Sequence, residues 1–285
     1  MKTILDLLPE YVDYLQHERR LSARTLIGYV SDLRQLAAFI DKAVDEITVD
    51  DLRAYMREMS RAGRTTTTIQ RRMNGFSTFW HWLVLSHYVP EVIPTKLRLP
   101  KKPRHTPKWL NEQELLQFLS KPGASVGEDT AWKLLVYLGF RRTEVLNLRW
   151  EDVNLIDRTL IIRNAKGLQD RMLFIPSPLL KYLQSVTRTS DYVCPNRHGQ
   201  QWNEWGFHRA FQRHLENVGL GNRGIKSHTL RHSFATHLVK RGVHISTVKE
   251  LLGHRDISST MIYIHHDPNI LRDAIEKFSL NKETE

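Results

Sequence analysis

A proline-rich basic stretch, IPTKLRLPKKPRHTPKWL, constrains this chain more than any other feature. Pro94, Pro100, Pro103 and Pro107 forbid a continuous helix, because each removes a backbone donor and clashes with the preceding turn. Lys96, Arg98, Lys101, Lys102, Arg104 and Lys108 sit among them with no acidic residue between. The stretch reads as an extended interdomain linker. It predicts two separate cores, in residues 1–95 and 109–285, joined by residues 96–108. A chain of 285 residues is long enough for both.

The first part reads as helices. Ser22 is placed to cap a helix through SARTLIGYVSDLRQLAAFI, with Leu26, Val30, Leu33, Leu36 and Ala37 on one face. Thr48 starts a second, with acids in its first turn and Gly63 at its end. A third follows Thr65–Thr68 and carries Ile69, Met73, Phe76, Phe79, Trp80 and Leu83 as a stripe suited to a core. Arg71 and Arg72 fall on a more polar side of that helix, within reach of phosphates. The second part opens with a capped helix, NEQELLQFLSKPG, ending at Gly123. An apolar helical region, TAWKLLVYLGFRRTEVLNLRW, follows. TLIIRNAKGLQDRMLFIP has two β-rich runs around a polar turn, a hairpin with Lys166 at its tip. Three helices then follow: EWGFHRAFQRHLENVGL, HTLRHSFATHLVKRG and ISTVKELLG. The expected class is mainly α with one small antiparallel β-sheet.

The formal charge is +11, and both parts share the excess: residues 1–108 hold 18 Lys and Arg against 12 acids, residues 109–285 hold 24 against 19. Both parts are therefore able to meet the same polyanion. No run approaches the ~18 apolar residues of a membrane span, and the opening segment carries Asp6, Glu10 and Asp13, unlike a secretory signal. The expectation is a cytoplasmic protein with no membrane partner. Cys194 is the single cysteine, so it forms no internal disulfide and is expected to pack as a thiol. There is no Walker loop, no GxGxxG and no HExxH. His228 and His232 have helical ligand spacing, but Arg231 lies between them and no acid or cysteine supports them, so zinc is disfavoured.

What remains is an ordered set of boxes: LGFRRTEVLNLRW, AKGLQDR, HTLRH, LLGH and a tyrosine in STMIY. Together they resemble the tyrosine recombinase, or phage integrase, family, and within it the two-domain Xer-like members. The resemblance spans nearly the whole chain and implies a helical SAM-like core-binding domain ahead of an α-rich catalytic domain. It assigns Arg141 and Arg231 as catalytic arginines, with Glu144 supporting the first, and Lys166 as the hairpin lysine. His228 matches the HxxR box, His254 the LGH box and Tyr263 the nucleophile. The first box departs from the family pattern at Leu138, Phe140 and Thr143, and Arg142 follows Arg141 directly; the G-x-R and R-x-x-E spacings fit only Arg141.

Phosphodiester attack concentrates charge on two non-bridging oxygens, which fork-shaped guanidinium donors meet. Tyrosine, with a reference pKa of about 10, needs a proton acceptor, for which His228 is the candidate. Gly253 suits a left-handed turn closing the helix before His254. Expected phosphate contacts are Arg24, Arg71, Arg72, Lys101 and Lys102. The expected partners are double-stranded DNA and further protomers, a homo-tetramer or a related recombinase. A tail with Ile270, Leu271, Ala274, Ile275 and Phe278 on one face is expected to dock on a neighbour; the alternative is a tail folded on its own domain. Neither ATP nor metal is expected as a cofactor, because the covalent intermediate keeps the bond energy. Two other readings stay open: a DNA-binding protein that has lost cleavage, and a type IB topoisomerase.

Overall fold

The structure is a computed structural model that describes residues 2–101, 108–163 and 170–253. The chain divides into two compact units, Met1–Arg104 and His105–Glu285. In the first, α1 (Ile4–Asp13) opens on a reciprocal cap between Thr3 and Asp6. A π-helical turn, Tyr14–Glu18, carries the chain toward α2 (Ala23–Phe39), which Ser22 caps as expected. Thr48 and Asp51 cap α3 (Val49–Arg61), and Thr65 caps α4 (Thr66–Leu85). Each cap satisfies backbone donors that a helix start leaves without partners. The α4 stripe of Ile69, Met73, Phe76, Phe79, Trp80 and Leu83 is fully buried and forms the middle of the core. On α2, Leu33 and Leu36 are buried, while Leu26, Val30 and Ala37 pack at the margin.

Arg72 does not lie on the polar side expected for it. It is 8% exposed, donates to the Tyr55 hydroxyl at 3.1 Å and pairs with Asp32 at 3.1 Å. Asp32, itself buried on α2, also receives two bonds from Arg71, at 2.5 and 2.9 Å. Arg71 and Arg72 are neighbours in sequence, about 100° apart around the helix, so one reaches Asp32 from the solvent side and the other from inside. The helical period identified a polar side, but a buried acid on α2 drew the second arginine inward.

Beyond α4, a 3-10 turn at Ile93–Lys96 leads to Leu97, which is buried in this core, and Leu99, which packs against it. The Gln70 side chain donates to the Pro100 carbonyl at 2.6 Å, and Lys96 pairs with Glu91. The segment after Pro94 is thus tied to the first unit as far as Pro100.

In the second unit, α5 (Glu112–Leu119) is capped by Asn111 and Glu114 and stops before the expected Gly123. The apolar region is two helices, α6 (Val126–Leu138) and α7 (Arg142–Asn147), because Gly139 turns left-handed at φ 60° between them. Strands β1 (Val153–Asn154), β2 (Thr159–Ile162) and β3 (Arg171–Phe174) form an antiparallel sheet in that order. The hairpin runs were expected; β1 is a short addition. Residues 176–186 supply α8 (Ser177–Ser185), followed by α9 (Glu204–Asn217), α10 (Ser227–Lys240) and α11 (Ile245–Leu252). Helix α10 packs against α6 and α11. The Ser233 hydroxyl on α10 accepts the Leu110 N–H at 2.7 Å and so anchors the start of the unit to its centre. Cys194 is buried, and burial pushes its thiol pKa up, which makes it a poor nucleophile. Among the described residues no helix is long and apolar enough to cross a membrane.

Asp32 sets a test of the first core. Replacing it with alanine leaves the Arg72 charge buried without its acid, at a cost of about 3–5 kcal/mol. Arg71→Ala, at a half-exposed site, should cost under about 1 kcal/mol. Urea unfolding of the full chain measures both, and equal losses would mean the buried pair is not what holds α2 to α4.

Candidate active site

The site is assembled around one carboxylate. Gly139 ends α6, and a Cβ there would lie 2.5 Å from the Phe234 ring. Phe140 is fully buried and anchors the turn. Arg141 follows in extended backbone at the start of α7. Its N–H donates to Glu144 Oε2 at 2.8 Å and its Nη1 to Oε1 at 2.7 Å, so Glu144 caps the helix and holds the guanidinium together. Arg142 points elsewhere and pairs with Glu204 at 3.0 Å, which separates the roles of the two adjacent arginines.

The second arginine of the pattern, Arg231 on α10, is 1% exposed. Its Nη1 donates to the Gly139 carbonyl at 2.8 Å and its Nη2 to the Leu252 carbonyl, and its Nη1 lies 3.9 Å from Glu144. Arg141 Nη2 donates to the next carbonyl, that of Gly253, at 2.9 Å across 112 positions of chain. Helix α11 thus delivers its C-terminal carbonyls, the negative end of its dipole, to the two arginines. Gly253 closes α11 left-handed at φ 61°, as its place in the LGH box suggested.

A third arginine completes the cluster, and sequence reasoning assigned it no role. Arg171, the first residue of β3, makes a two-bond fork to Glu144, Nη1 to Oε1 at 3.0 Å and Nη2 to Oε2 at 2.8 Å. A signal was available. Arg171 is two residues from buried Leu173 on a strand, so it faces inward, and a cation on the inner face needs an acid there.

Burial pushes the Glu144 carboxyl pKa up, but the bonds and charge of Arg171, with those from Arg141, overcome this and hold it below the usual carboxylate value. The carboxylate stays ionised and the cluster keeps a net positive charge. Arg141 is the partly open member, with its side chain 32% exposed. An anion arriving there meets donors already in place, which avoids reorganisation when charge develops.

His228 stands on the first turn of α10, exposed, with its ring edge-on to His232 at 5.1 Å. Partial loss of hydration first, then the charges of Arg231 and Arg141, lower its pKa, leaving it neutral at pH 7. His232, less exposed, is lowered to about 4 by burial and then by His228 and Arg231. Two basic neighbours make this a poor place for a metal, and among the described residues no group of three His, Cys, Asp or Glu side chains converges. Lys166, His254 and Tyr263 lie outside the described residues, as does Lys102. Arg24 and Lys101 are exposed on the first unit, and Arg71 is half-exposed there.

Residues 108–269 match the phage integrase family, and residues 8–87 match the phage integrase N-terminal SAM-like domain. The chain belongs to the phage integrase family. Within that family it is a tyrosine recombinase, the class of enzyme that cuts and rejoins DNA strands at specific sites. A tyrosine recombinase of Thermosipho africanus is 31% identical over 94% of this chain and 97% of that one. Tyrosine recombinase XerD of Listeria monocytogenes is 30% identical over 96% of this chain and 98% of that one. Among solved structures, the Tn1549 transposon integrase in complex with transposon right end DNA shares the fold. Its TM-score is 0.80 at 16% identity, over 97% of this chain and 99% of that one. In this chain both halves of the pattern, RRTE and HTLRH, converge on the α11 turn.

The lowered Glu144 pKa fixes a sign. A carboxyl whose pKa is lowered by folding adds stability above the unfolded value, about 4.3, and loses it as pH falls through the folded value. Glu144→Gln should therefore be less stable than the unaltered protein at pH 7, with the gap closing below about pH 4. Denaturant midpoints from pH 7 to 3 test this; a gap of constant size would show that the carboxylate charge is not the stabilising feature.

Proposed function

We propose that this recombinase exchanges DNA strands by two transesterifications at Tyr263. The Tyr263 oxygen attacks a scissile phosphate, forming a 3′-phosphotyrosyl bond as the bond to the 5′-oxygen breaks. The 5′-hydroxyl of a partner strand then attacks that linkage, forms the new phosphodiester and returns Tyr263. The observation that carries this reading is the bond between Arg141 and the Gly253 carbonyl. It joins the first arginine box to the residue directly before His254.

Arg141 and Arg231 take the charge on the non-bridging oxygens. Neutral His228 accepts the Tyr263 proton, because a lowered pKa leaves its lone pair available at pH 7. Lys166 protonates the departing 5′-oxygen, and His254 donates to the phosphate. No step consumes ATP, since each bond broken is matched by one formed. Arg24 and Arg71 on the first domain and Lys101 and Lys102 in the basic segment contact phosphates, and Arg72 acts through Asp32 to set the α4 face that carries Arg71. The domain plan is residues 1–95, the basic segment 96–108 and residues 109–285, with both domains engaging one duplex. Two duplexes cut on both strands require four active sites, so the acting form is a tetramer of this chain or of this chain with a related recombinase. The tail after Pro268 docks on a neighbouring protomer. Chromosome dimer resolution, transposon cointegrate resolution and integration or excision all use this chemistry. The place of action is the cytoplasm.

Covalent trapping tests the nucleophile. The protein is mixed in EDTA with a nicked suicide DNA fragment carrying its genomic or transposon-borne site, and the products are run on denaturing gels. A slow-migrating adduct is expected with Tyr263 and none with Tyr263→Phe. A clear DNA shift without an adduct would favour a protein that only binds. The His228 role predicts a pH dependence with a definite sign. Protonated His228 accepts no proton, so single-turnover cleavage should rise with pH, with a midpoint below the ordinary histidine value of about 6.5. His228→Gln should flatten that limb and slow cleavage about 10²-fold. An unaltered limb in the variant would remove His228 as the acceptor.

A further inference from the structure

Glu144 uses its whole acceptor capacity. A carboxylate offers about four lone-pair positions. Oε1 takes Arg141 Nη1 and Arg171 Nη1, and Oε2 takes the Arg141 N–H and Arg171 Nη2. Arg171 therefore fills half of them. It does so from an inward-facing position at the base of β3, opposite Ile162, with its side chain 11% exposed. It also reaches the α11 turn: a Cβ at Gly253 would lie 2.9 Å from Arg171 Nη1 and 3.2 Å from its Cζ. The guanidinium lies against the backbone of the residue whose carbonyl accepts Arg141.

We propose that Arg171 is a positioning residue for strand cleavage, which saturates Glu144 and braces the Gly253 turn so that the Arg141 guanidinium keeps a single bond to Glu144 and stays held at the Gly253 carbonyl, in place for the scissile phosphate. This rests on the recombinase reading above and adds a residue to it. The reasoning is one of competition. Remove Arg171, and Glu144 keeps its charge in a buried pocket with two acceptor positions vacated. A buried acceptor without partners is costly, and the nearest donors are the guanidinium groups of Arg141 and Arg231. Arg141 then swings from one bond toward a two-bond fork with its own carboxylate and gives up its bond to Gly253. The residue that should face the phosphate is consumed by its support. Arg171 thereby also links strand β3, which leaves the segment bearing Lys166, to the box bearing Arg141.

The test compares Arg171→Ala, Arg171→Lys and Arg213→Ala in the full-length protein. Arg213 pairs with Glu128, another buried carboxylate remote from this cluster, at 2.6 Å. Arg213 is itself half-exposed, so this variant reports what taking one arginine from a buried carboxylate does elsewhere in the unit. Single-turnover cleavage of the suicide substrate at saturating DNA should fall about 10²-fold in Arg171→Ala, the effect of a misplaced reacting group. DNA affinity should stay within about threefold, since phosphate contacts elsewhere carry binding. Arg171→Lys keeps the charge but not the fork, so it should restore part of the rate, and it serves as the decisive variant if the alanine protein fails to fold. Separately, ¹³C NMR of labelled glutamate carboxyls should show the Glu144 midpoint rising in both Arg171 variants and unmoved in Arg213→Ala. Cleavage by the Arg171 variants no slower than by Arg213→Ala would overturn the proposal, and so would an unmoved Glu144 midpoint. An unaltered protein that makes no adduct would count against the recombinase reading, while the Glu144 midpoint would still decide the clamp.

Discussion

A buried carboxylate surrounded by guanidinium groups must stay ionised and must be fully hydrogen-bonded, and the second domain is arranged to meet both demands at Glu144. Its partners come from α7, α10 and β3, and the helix α11 turn joins through the same arginines. Of these elements α7, β3 and α10 lie well apart in sequence, while α11 follows α10 after a short turn. The ion cluster therefore does two jobs: it fixes the relative placement of four elements, and it leaves positive charge where an anion would arrive. Removing the acid frees three like charges; removing an arginine leaves a buried acid undersupplied. The arrangement tolerates little change because each member compensates another.

The first domain uses the same device with the opposite purpose. Asp32 accepts Arg71 from the solvent side and Arg72 from within. There the acid is matched by one buried and one half-exposed arginine, and the pairing serves to hold α2 against α4 and keep Arg71 in place. The difference lies in what faces outward. Around Glu144 the open member is Arg141, supported by two further cations, whereas around Asp32 a single exposed guanidinium remains.

Much of this was legible in the chain. The caps at Ser22, Thr48, Thr65 and Asn111 are local, so their residue types mark helix starts directly. The Arg141–Glu144 pair was legible only through the family resemblance, because the helix start that brings the two together was not apparent in the apolar run. Arg72 was misplaced because helical period describes a helix alone, and the buried acid that captures it sits on another helix 40 positions earlier. Arg171 was overlooked because its partner is 27 positions away and attention fell on Lys166 in the same box. The split of the apolar region at Gly139 follows from a left-handed turn that packs against Phe234, a contact with α10.

By itself the sequence determined two helical cores around a proline-broken basic segment, the order of the boxes and the residue types able to stabilise a phosphate. These depend on period, capping and backbone restriction, which act within a few residues. Tertiary structure alone decided which arginine is exposed and which is buried, that Arg171 joins Glu144, and that the α11 carbonyls accept both Arg141 and Arg231. Those outcomes depend on where charges from distant segments meet in a low-dielectric interior, where an uncompensated charge is costly. The pairing is set by packing rather than by spacing along the chain.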